Sequence, residues 1–304
     1  MNAKASVVIS TYNKLPRLKL VLYSIECQKI DRELFEVIII NDGSDDGTEQ
    51  FLSQCEYSFQ LKIISTEHTG RAFARNKGIE EAKNDILIFI DDDTVLGADF
   101  ILNHLKAQRK KLAVYHGLIR ENVYVKFFED PCKGILYPDL LINKKLEKLH
   151  SQCVSYEDIR GGEKLHKMSK ISAHEQIVHK VFELNRQDWF WIGFCGGNTS
   201  INKKWVLDIG GFDEQYGLNW GCEDMDLGYQ LMLSGYPFQV NFQAINYHLD
   251  HYRRNYIVEH KINMDIFTNK YKDDSLRIFG KFVDGTYKGR DVIRYLQQNT
   301  IGEL

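Results

Sequence analysis

The chain has 304 residues, 43% of them hydrophobic and 27% charged, with a formal net charge of −3. That balance supports a packed core, and the lack of a basic excess argues against nucleic acid as the main partner. No apolar run approaches the roughly 20 residues of a bilayer-crossing helix. The six cysteines form no C-x-x-C pair, so separate reduced thiols and a cytoplasmic location, including the inner face of the membrane, are expected.

The opening run MNAKASVVISTYN ends its apolar stretch at Ser10-Thr11 without a small-residue cleavage pattern and reads as a first strand. Val- and Ile-rich strands are expected at Ser6–Ser10, Glu36–Ile40, Leu61–Ile64 and Ile86–Ile90. Helical spacing lies between them at Leu15–Cys27, Thr48–Cys55 and Arg71–Ala82. Continuous apolar strands separated by helices indicate a parallel sheet covered on both faces, with ligands bound beyond the carboxyl ends of the strands. A helix is expected to begin near Gly97 and another around Leu140–Leu149 in a lysine-rich middle region. A block from Trp189 to His251 is dense in glycine and aromatics, and Tyr252–Leu304 reads as a helical tail. The expected divisions are 1–114, 115–188, 189–251 and 252–304.

Polar clusters follow three of the strands: Thr11-Tyr12-Asn13, Asn41-Asp42-Gly43-Ser44 and Asp91-Asp92-Asp93. Three carboxylates after a buried strand repel one another unless a cation is near, and hard oxygen ligands suit Mg²⁺ or Mn²⁺. The alternative is a solvated acidic turn capping the next helix. Asp42, before its turn, can accept from a pyrimidine N–H, while Ser44 through Thr48 are explained by turn and cap chemistry. Gly70-Arg71 and Arg75-Asn76 lie near a helix start, where dipole and guanidinium favour phosphate or ribose oxygens; surface arginines are the plain alternative. Neither G-x-G-x-x-G nor G-x-x-x-x-G-K-[ST] occurs, against a dinucleotide-binding dehydrogenase or a P-loop kinase.

The series SVVISTYN, NDGSDDGT, GRAFARNKGI and IFIDDDTVLGADF resembles the GT-A glycosyltransferases of family 2 across residues 1–105. The resemblance implies a GT-A fold, a central mostly parallel sheet flanked by helices, and a UDP-sugar donor. In that family the strand-one turn and the acid after strand two hold uracil, which implies Thr11, Tyr12, Asn13 and Asp42 here. Arg71, Arg75 and Asn76 match the family's basic helix. The DxD element falls on Asp91 and Asp93, with Asp93 on the metal, Asp91 nearer the ribose, and Asp92 beside the donor.

The second block extends the likeness. Cys195-Gly196-Gly197-Asn198, Gly210-Gly211-Phe212-Asp213 and Trp220-Gly221-Cys222-Glu223-Asp224 resemble the GGN, GGFDE and W-G-x-E-D segments of enzymes acting on sugar acceptors. Gly197 and Asn198 are implied on the donor side, Trp220 and Glu223 on the acceptor side, and Asp224 or Glu223 as general base. Asp226 fits plain helix N-terminal stabilisation. In Tyr247-His248-Leu249-Asp250-His251, His248 is the implied metal ligand, with His251 and Asp91 in reserve.

The expectation is therefore a divalent-cation-dependent transferase that moves a hexose or N-acetylhexosamine from a UDP-sugar to an acceptor hydroxyl with inversion, in polysaccharide or glycoconjugate synthesis. A glycan, lipid-linked sugar, peptide or small molecule all stay open as acceptor, as do peripheral membrane contact, homo-oligomerisation and a retaining course. A nucleotidyltransferase and a non-catalytic carbohydrate-binding protein on the same fold are the rival readings.

Overall fold

All four expected N-terminal strands form, each extended slightly toward the polar cluster that follows it. The computed structural model describes residues 4–140, 151–253 and 256–298. The helix expected around Leu140–Leu149 falls outside them except for Leu140, which closes a short turn, Pro138–Leu140.

The first part alternates β1 (Ala5–Thr11), α1 (Leu15–Glu26), β2 (Phe35–Asp42), α2 (Thr48–Gln54), β3 (Gln60–Thr66), α3 (Arg71–Glu81) and β4 (Ile86–Asp91). A short β5 (Thr94–Leu96) and α4 (Phe100–Lys110) precede the long β6 (Val114–Asn122). The middle region adds a hairpin of β7 (Phe128–Asp130) and β8 (Ile135–Leu136), then α5 (Tyr156–Gly161), α6 (Glu163–Met168) and α7 (Ala173–Glu183). Next come β9 (Thr199–Asn202), α8 (Lys203–Asp208), α9 (Glu223–Leu233) and β10 (Phe238–Leu249). The chain closes with α10 (Tyr256–Tyr271), α11 (Asp274–Val283) and α12 (Gly289–Gln298), as the helical tail expectation requires.

One sheet runs in the order β3-β2-β1-β4-β9-β6-β10-β5. The pairings β1–β2, β2–β3, β1–β4 and β6–β10 are parallel, and β9 runs against both β4 and β6. Along β1 the side chains alternate: Val7 and Ile9 pack toward α1 and α4, whereas Val8 packs with Ala72, Ala74 and Ile79 of α3. The register sets Thr11 opposite Asn41 and Ser10 opposite Asp91, so the three polar clusters emerge at one edge.

A third apolar core joins α7, Trp189 and Trp191 to Tyr229 of α9 and to Phe267, Phe279 and Leu296 of the tail. The last three helices thus pack on the same side chains that seat α9. Among the described residues no helix is long and apolar enough to cross a membrane, and all six cysteines are unpaired.

Arg17 of α1, 2% exposed, ties the middle region to the sheet. Its guanidinium donates to the backbone carbonyls of Val125, Phe128, Glu129, Leu249 and Asp250 at 2.8–3.4 Å. Five carbonyls aimed inward at one point need a cation or water to satisfy them. Arg17→Met is expected to lower unfolding free energy by about 3 kcal/mol, read by urea denaturation, because buried acceptors lose their donor.

Candidate active site

Thr11, Asp42, Asp92 and Asp93, none more than 5% exposed, meet Arg75 and Glu223 around one cleft of about 1620 Å³. That exceeds the usual range for a single small ligand and leaves room for a donor and an acceptor together.

Asp42 anchors the loop before α3. Its Oδ1 accepts from the Thr69 N–H at 2.9 Å and its Oδ2 from the Gly70 N–H at 2.9 Å, with His68 Nδ1 3.0 Å from Oδ2. Gly70 needs to be glycine twice over: φ is 109°, and a Cβ would lie 2.2 Å from the Gly217 carbonyl oxygen. His68 stacks flat on Tyr12, ring centroids 3.6 Å apart and 9° from parallel.

Burial excludes the solvated-turn reading of the aspartate triplet for its second and third members. Asp92 Oδ2 accepts from Thr11 Oγ1 at 2.9 Å, and its Oδ1 lies 3.2 Å from Lys14 Nζ. Burial raises the Asp92 pKa against the pull of Lys14. Asp93 Oδ2 lies 2.6 Å from the same ammonium. Although burial opposes its ionisation, Lys14 and then His248 hold Asp93 well below the usual carboxylate range.

His248 Nε2 is 3.5 Å from Asp93 Oδ1, and His251 Nε2 is 3.3 Å from Asp93 Oδ2. His251 Nδ1 faces the Tyr252 carbonyl at 3.3 Å and its Nε2 accepts from Arg253 Nε at 3.0 Å, so the lone pair is on Nε2. Burial, Lys14 and Arg253 all keep this ring neutral. Among the described residues no three His, Cys, Asp or Glu side chains already form a metal-binding group. In donor chemistry the set fits a divalent cation, since one carboxylate and two imidazoles, one of them neutral, surround the same two oxygens.

Asp91 belongs to a different network. Its Oδ1 takes Arg75 Nη2 at 2.8 Å, and Arg75 Nη1 reaches Glu223 Oε1 at 2.8 Å, with Arg71 Nη1 at 3.4 Å from that oxygen. Gly196 makes this possible, because a Cβ there would sit 2.1 Å from Arg75 Nη2. Gly197 lines the cleft beside Asp91. Glu223 is buried, yet Arg71 and Arg75 keep its pKa low.

Asp224, next along α9, has no such partner among the described residues. Its Oδ2 accepts from the Gly196 N–H at 3.2 Å and its Oδ1 from the Met225 N–H at 2.8 Å. Burial, then the neighbouring Glu223 charge, pushes its pKa up to about 6. This is the carboxylate suited to take a proton near neutral pH. Asp226, two residues on, is fully buried against Lys270 of α10 at 3.0 Å, a stronger structural role than helix-end charge alone.

The three asparagines expected on the donor side are turned to other tasks, and none lines the cleft. Asn13 (φ 51°) accepts from the Asp45 N–H at 2.9 Å, joining two strand-end loops. Asn76 exchanges hydrogen bonds with the Phe212 backbone at 2.8 and 2.9 Å, fixing the Gly210-Gly211 turn. Asn198, fully buried, lies 2.9 Å from His104 Nε2 and donates to the Ala244 carbonyl. An asparagine offers donors and acceptors to backbone as readily as to ligand, so its residue type alone does not choose.

Trp220 lines the cleft with Arg253 over its ring at 4.7 Å and the His260 ring centroid at 4.9 Å. Lys14, His68, Arg253 and His260 are among the cleft residues that motif reading missed. Lys14 and Arg253 sit next to or two residues from expected ligands, and that adjacency was the available signal. The buried pair His116–Glu175 (3.0 Å), whose Glu175 also lines the cleft, carried none.

A family model described as Glycosyl transferase family 2 matches residues 6–156, and one described as N-terminal domain of galactosyltransferase matches residues 176–256. The chain is 32% identical over 259 residues to the uncharacterized glycosyltransferase YfnE of Bacillus subtilis (strain 168), covering 82% of this chain and 65% of that one. It spans 56–65% of the length of the first three curated relatives. The mannosyltransferase PcManGT from Pyrobaculum calidifontis, in complex with GDP-Man and Mn²⁺, superposes with TM-score 0.59 at 15% identity, covering all of this chain and 77% of that one. S. aureus TarS 1-349 in complex with UDP-GlcNAc gives 0.53 at 14%, covering 92% and 70%. These likenesses identify the fold as GT-A.

The raised pKa of Asp224 sets a stability test. Folded Asp224 titrates near 6 against an ordinary value of 3.8, so its burial penalty is absent below 3.8, grows up to pH 6 and is complete above it. Asp224→Asn, neutral throughout, is therefore expected to match the parent at pH 4. By pH 7.5 it should exceed the parent by up to about 2 kcal/mol, measured by denaturant unfolding.

Proposed function

Because the chain belongs to glycosyltransferase family 2, we propose that it moves a hexosyl or N-acetylhexosaminyl group from a UDP-sugar to an acceptor hydroxyl, with inversion at the anomeric carbon. The observation that carries the reading is Asp224: a carboxylate without a cationic partner among the described residues, titrating near 6, in the same cleft as Asp91–Asp93. The UDP-GlcNAc and GDP-Man complexes of the two GT-A neighbours support a sugar-nucleotide donor, and Mn²⁺ in one of them supports a divalent cation.

In the proposed reaction Asp224 accepts the proton of the acceptor hydroxyl as that oxygen bonds to the anomeric carbon. The bond from that carbon to the UDP oxygen breaks, and UDP leaves with the bonding electrons. One base and one displacement invert the centre. Glu223, held ionised by Arg71 and Arg75, is a poor base at neutral pH. Its role is to aim the two guanidiniums at the donor and, with Trp220, to receive acceptor hydroxyls. Tyr12, stacked with His68, supplies an aromatic face for uracil beside Thr11, and Asp42 fixes the loop around it. A divalent cation, Mn²⁺ or Mg²⁺, would be held by Asp93, His248 and His251 with Asp91 in reserve, and when bound it screens the diphosphate charge. Residues 1–114 then form the donor half and 189–251 the catalytic half, with an acceptor glycan, lipid-linked sugar or peptide entering past Trp220.

The test is release of nucleotide from a panel of nucleotide sugars with Mn²⁺ or EDTA. UDP released from one sugar with Mn²⁺ and not with EDTA is the expected result; no turnover and no cation-dependent nucleotide binding would overturn it. Asp224→Asn should keep UDP affinity while slowing transfer by about 10²–10⁴-fold, the usual worth of a general base.

The same carboxylate fixes the pH profile. A base titrating near 6 must be ionised to act, so kcat/KM is expected to fall as pH drops through about 6. A profile flat from pH 5 to 8 would remove Asp224 from this role.

A further inference from the structure

Two basic side chains occupy the atoms that would otherwise face a cation. Lys14 Nζ lies 2.6 Å from Asp93 Oδ2 and 3.2 Å from Asp92 Oδ1, while Arg253 donates to His251 Nε2 at 3.0 Å. We propose that Lys14 is the donor site's resident counter-charge: it holds Asp92 and Asp93 before a divalent cation binds, yields them to the cation, and then binds the donor diphosphate. This rests on the reading that Asp93, His248 and His251 form the cation site.

The local architecture suits such a transfer. The Lys14 backbone is fixed, since its carbonyl accepts from the Arg17 and Leu18 N–H groups at 3.0 and 2.9 Å as α1 begins. The side chain is a flexible four-carbon stem with a compact charge, able to swing while its Cα stays in place. Its side chain is 19% exposed at the cleft wall, with the ammonium against Asp92 and Asp93. An ammonium and a divalent ion cannot share the same carboxylate oxygens, because like charges a few ångströms apart repel strongly in a partly dry site. Removing the ammonium with nothing in its place leaves two buried carboxylates uncompensated, so a counter-charge is needed whenever the cation is away. A diphosphate arriving with the cation offers the displaced ammonium a new anion within reach of the same stem. Arg253, stacked over Trp220, is placed to make the parallel change when His251 is taken.

Mn²⁺ binding followed by its electron paramagnetic resonance separates the possibilities. Without nucleotide, Lys14→Met is expected to bind Mn²⁺ about tenfold more tightly than the parent, and Lys14→Arg to bind it as the parent does. With Mn²⁺ saturating, Lys14→Met should bind UDP about tenfold more weakly. A measurement on the unaltered protein guards against a misfolded variant: acylation of Lys14 by an amine-reactive ester, read by mass spectrometry. The rate should rise several-fold with Mn²⁺ alone and fall again when UDP is added. Equal Mn²⁺ affinity in parent and Lys14→Met, with a labelling rate indifferent to Mn²⁺, overturns the proposal while Asp93→Asn still loses Mn²⁺. If Asp93→Asn binds Mn²⁺ as the parent does, the cation site itself falls and this proposal with it.

Discussion

Burying several carboxylates at one end of a sheet is the constraint on which the rest of the site depends. Each has to be compensated, and the chain does so in separate ways. Asp42 is held by backbone N–H groups, Asp92 and Asp93 by one ammonium, Asp91 by the Arg75 guanidinium, and Glu223 by Arg75 and Arg71 together. Asp224 is the acid without an ion pair among the described residues, and its pKa is raised by burial first and by the Glu223 charge second, against the pull of Arg75. The same requirement shapes the backbone, since Arg75 reaches both of its acids only across a residue without a side chain. Asp92, whose pKa burial also raises, keeps Lys14 beside it, whereas Asp224 has no ion pair among the described residues.

The strand–helix alternation of the first third was legible because β1, β2 and β4 are buried on both faces, which leaves continuous apolar runs in the sequence, while the edge strand β3 keeps a short one. The strand-end carboxylates were legible for the same reason: an acid after such a run has no solvent to hide in. What was not legible depended on partners far along the chain. Asn13, Asn76 and Asn198 stand at motif positions, but their amides are spent on Asp45, Phe212 and Ala244. Lys14 reads as an ordinary surface lysine until Asp93 is folded against it. The middle region hid its logic because its apolar residues serve two cores: Ile159 and Leu165 pack near the β7–β8 hairpin, Ile177 and Val181 against the tail.

The tail illustrates how a peripheral element can govern a central one. Asn263 of α10 donates to the carbonyls of Asn219 and Gly221, on either side of Trp220. Gly221 and Cys222 both take positive φ to turn into α9, and Cys222 does so without glycine's freedom. A loop held this way from outside fixes Trp220 and Glu223 relative to Arg71, Arg75 and Asp91. Trp191 and Tyr229 pack on the tail helices, so α9 is held on that side as well.

The approach of Gly196 to Arg75 reaches beyond this one molecule. The two residues lie in the segments matched by two different family models, so the cleft is built across both matched segments. Neither can drift alone: any side chain at Gly196 crowds the Arg75 guanidinium, and loss of that guanidinium leaves Asp91 unpaired and Glu223 with Arg71 alone. Chimeras that exchange one module between relatives inherit half of this contact. The contact therefore couples residues 6–156 to residues 176–256 of this chain, so that changes at Arg75 and at Gly196 are not independent.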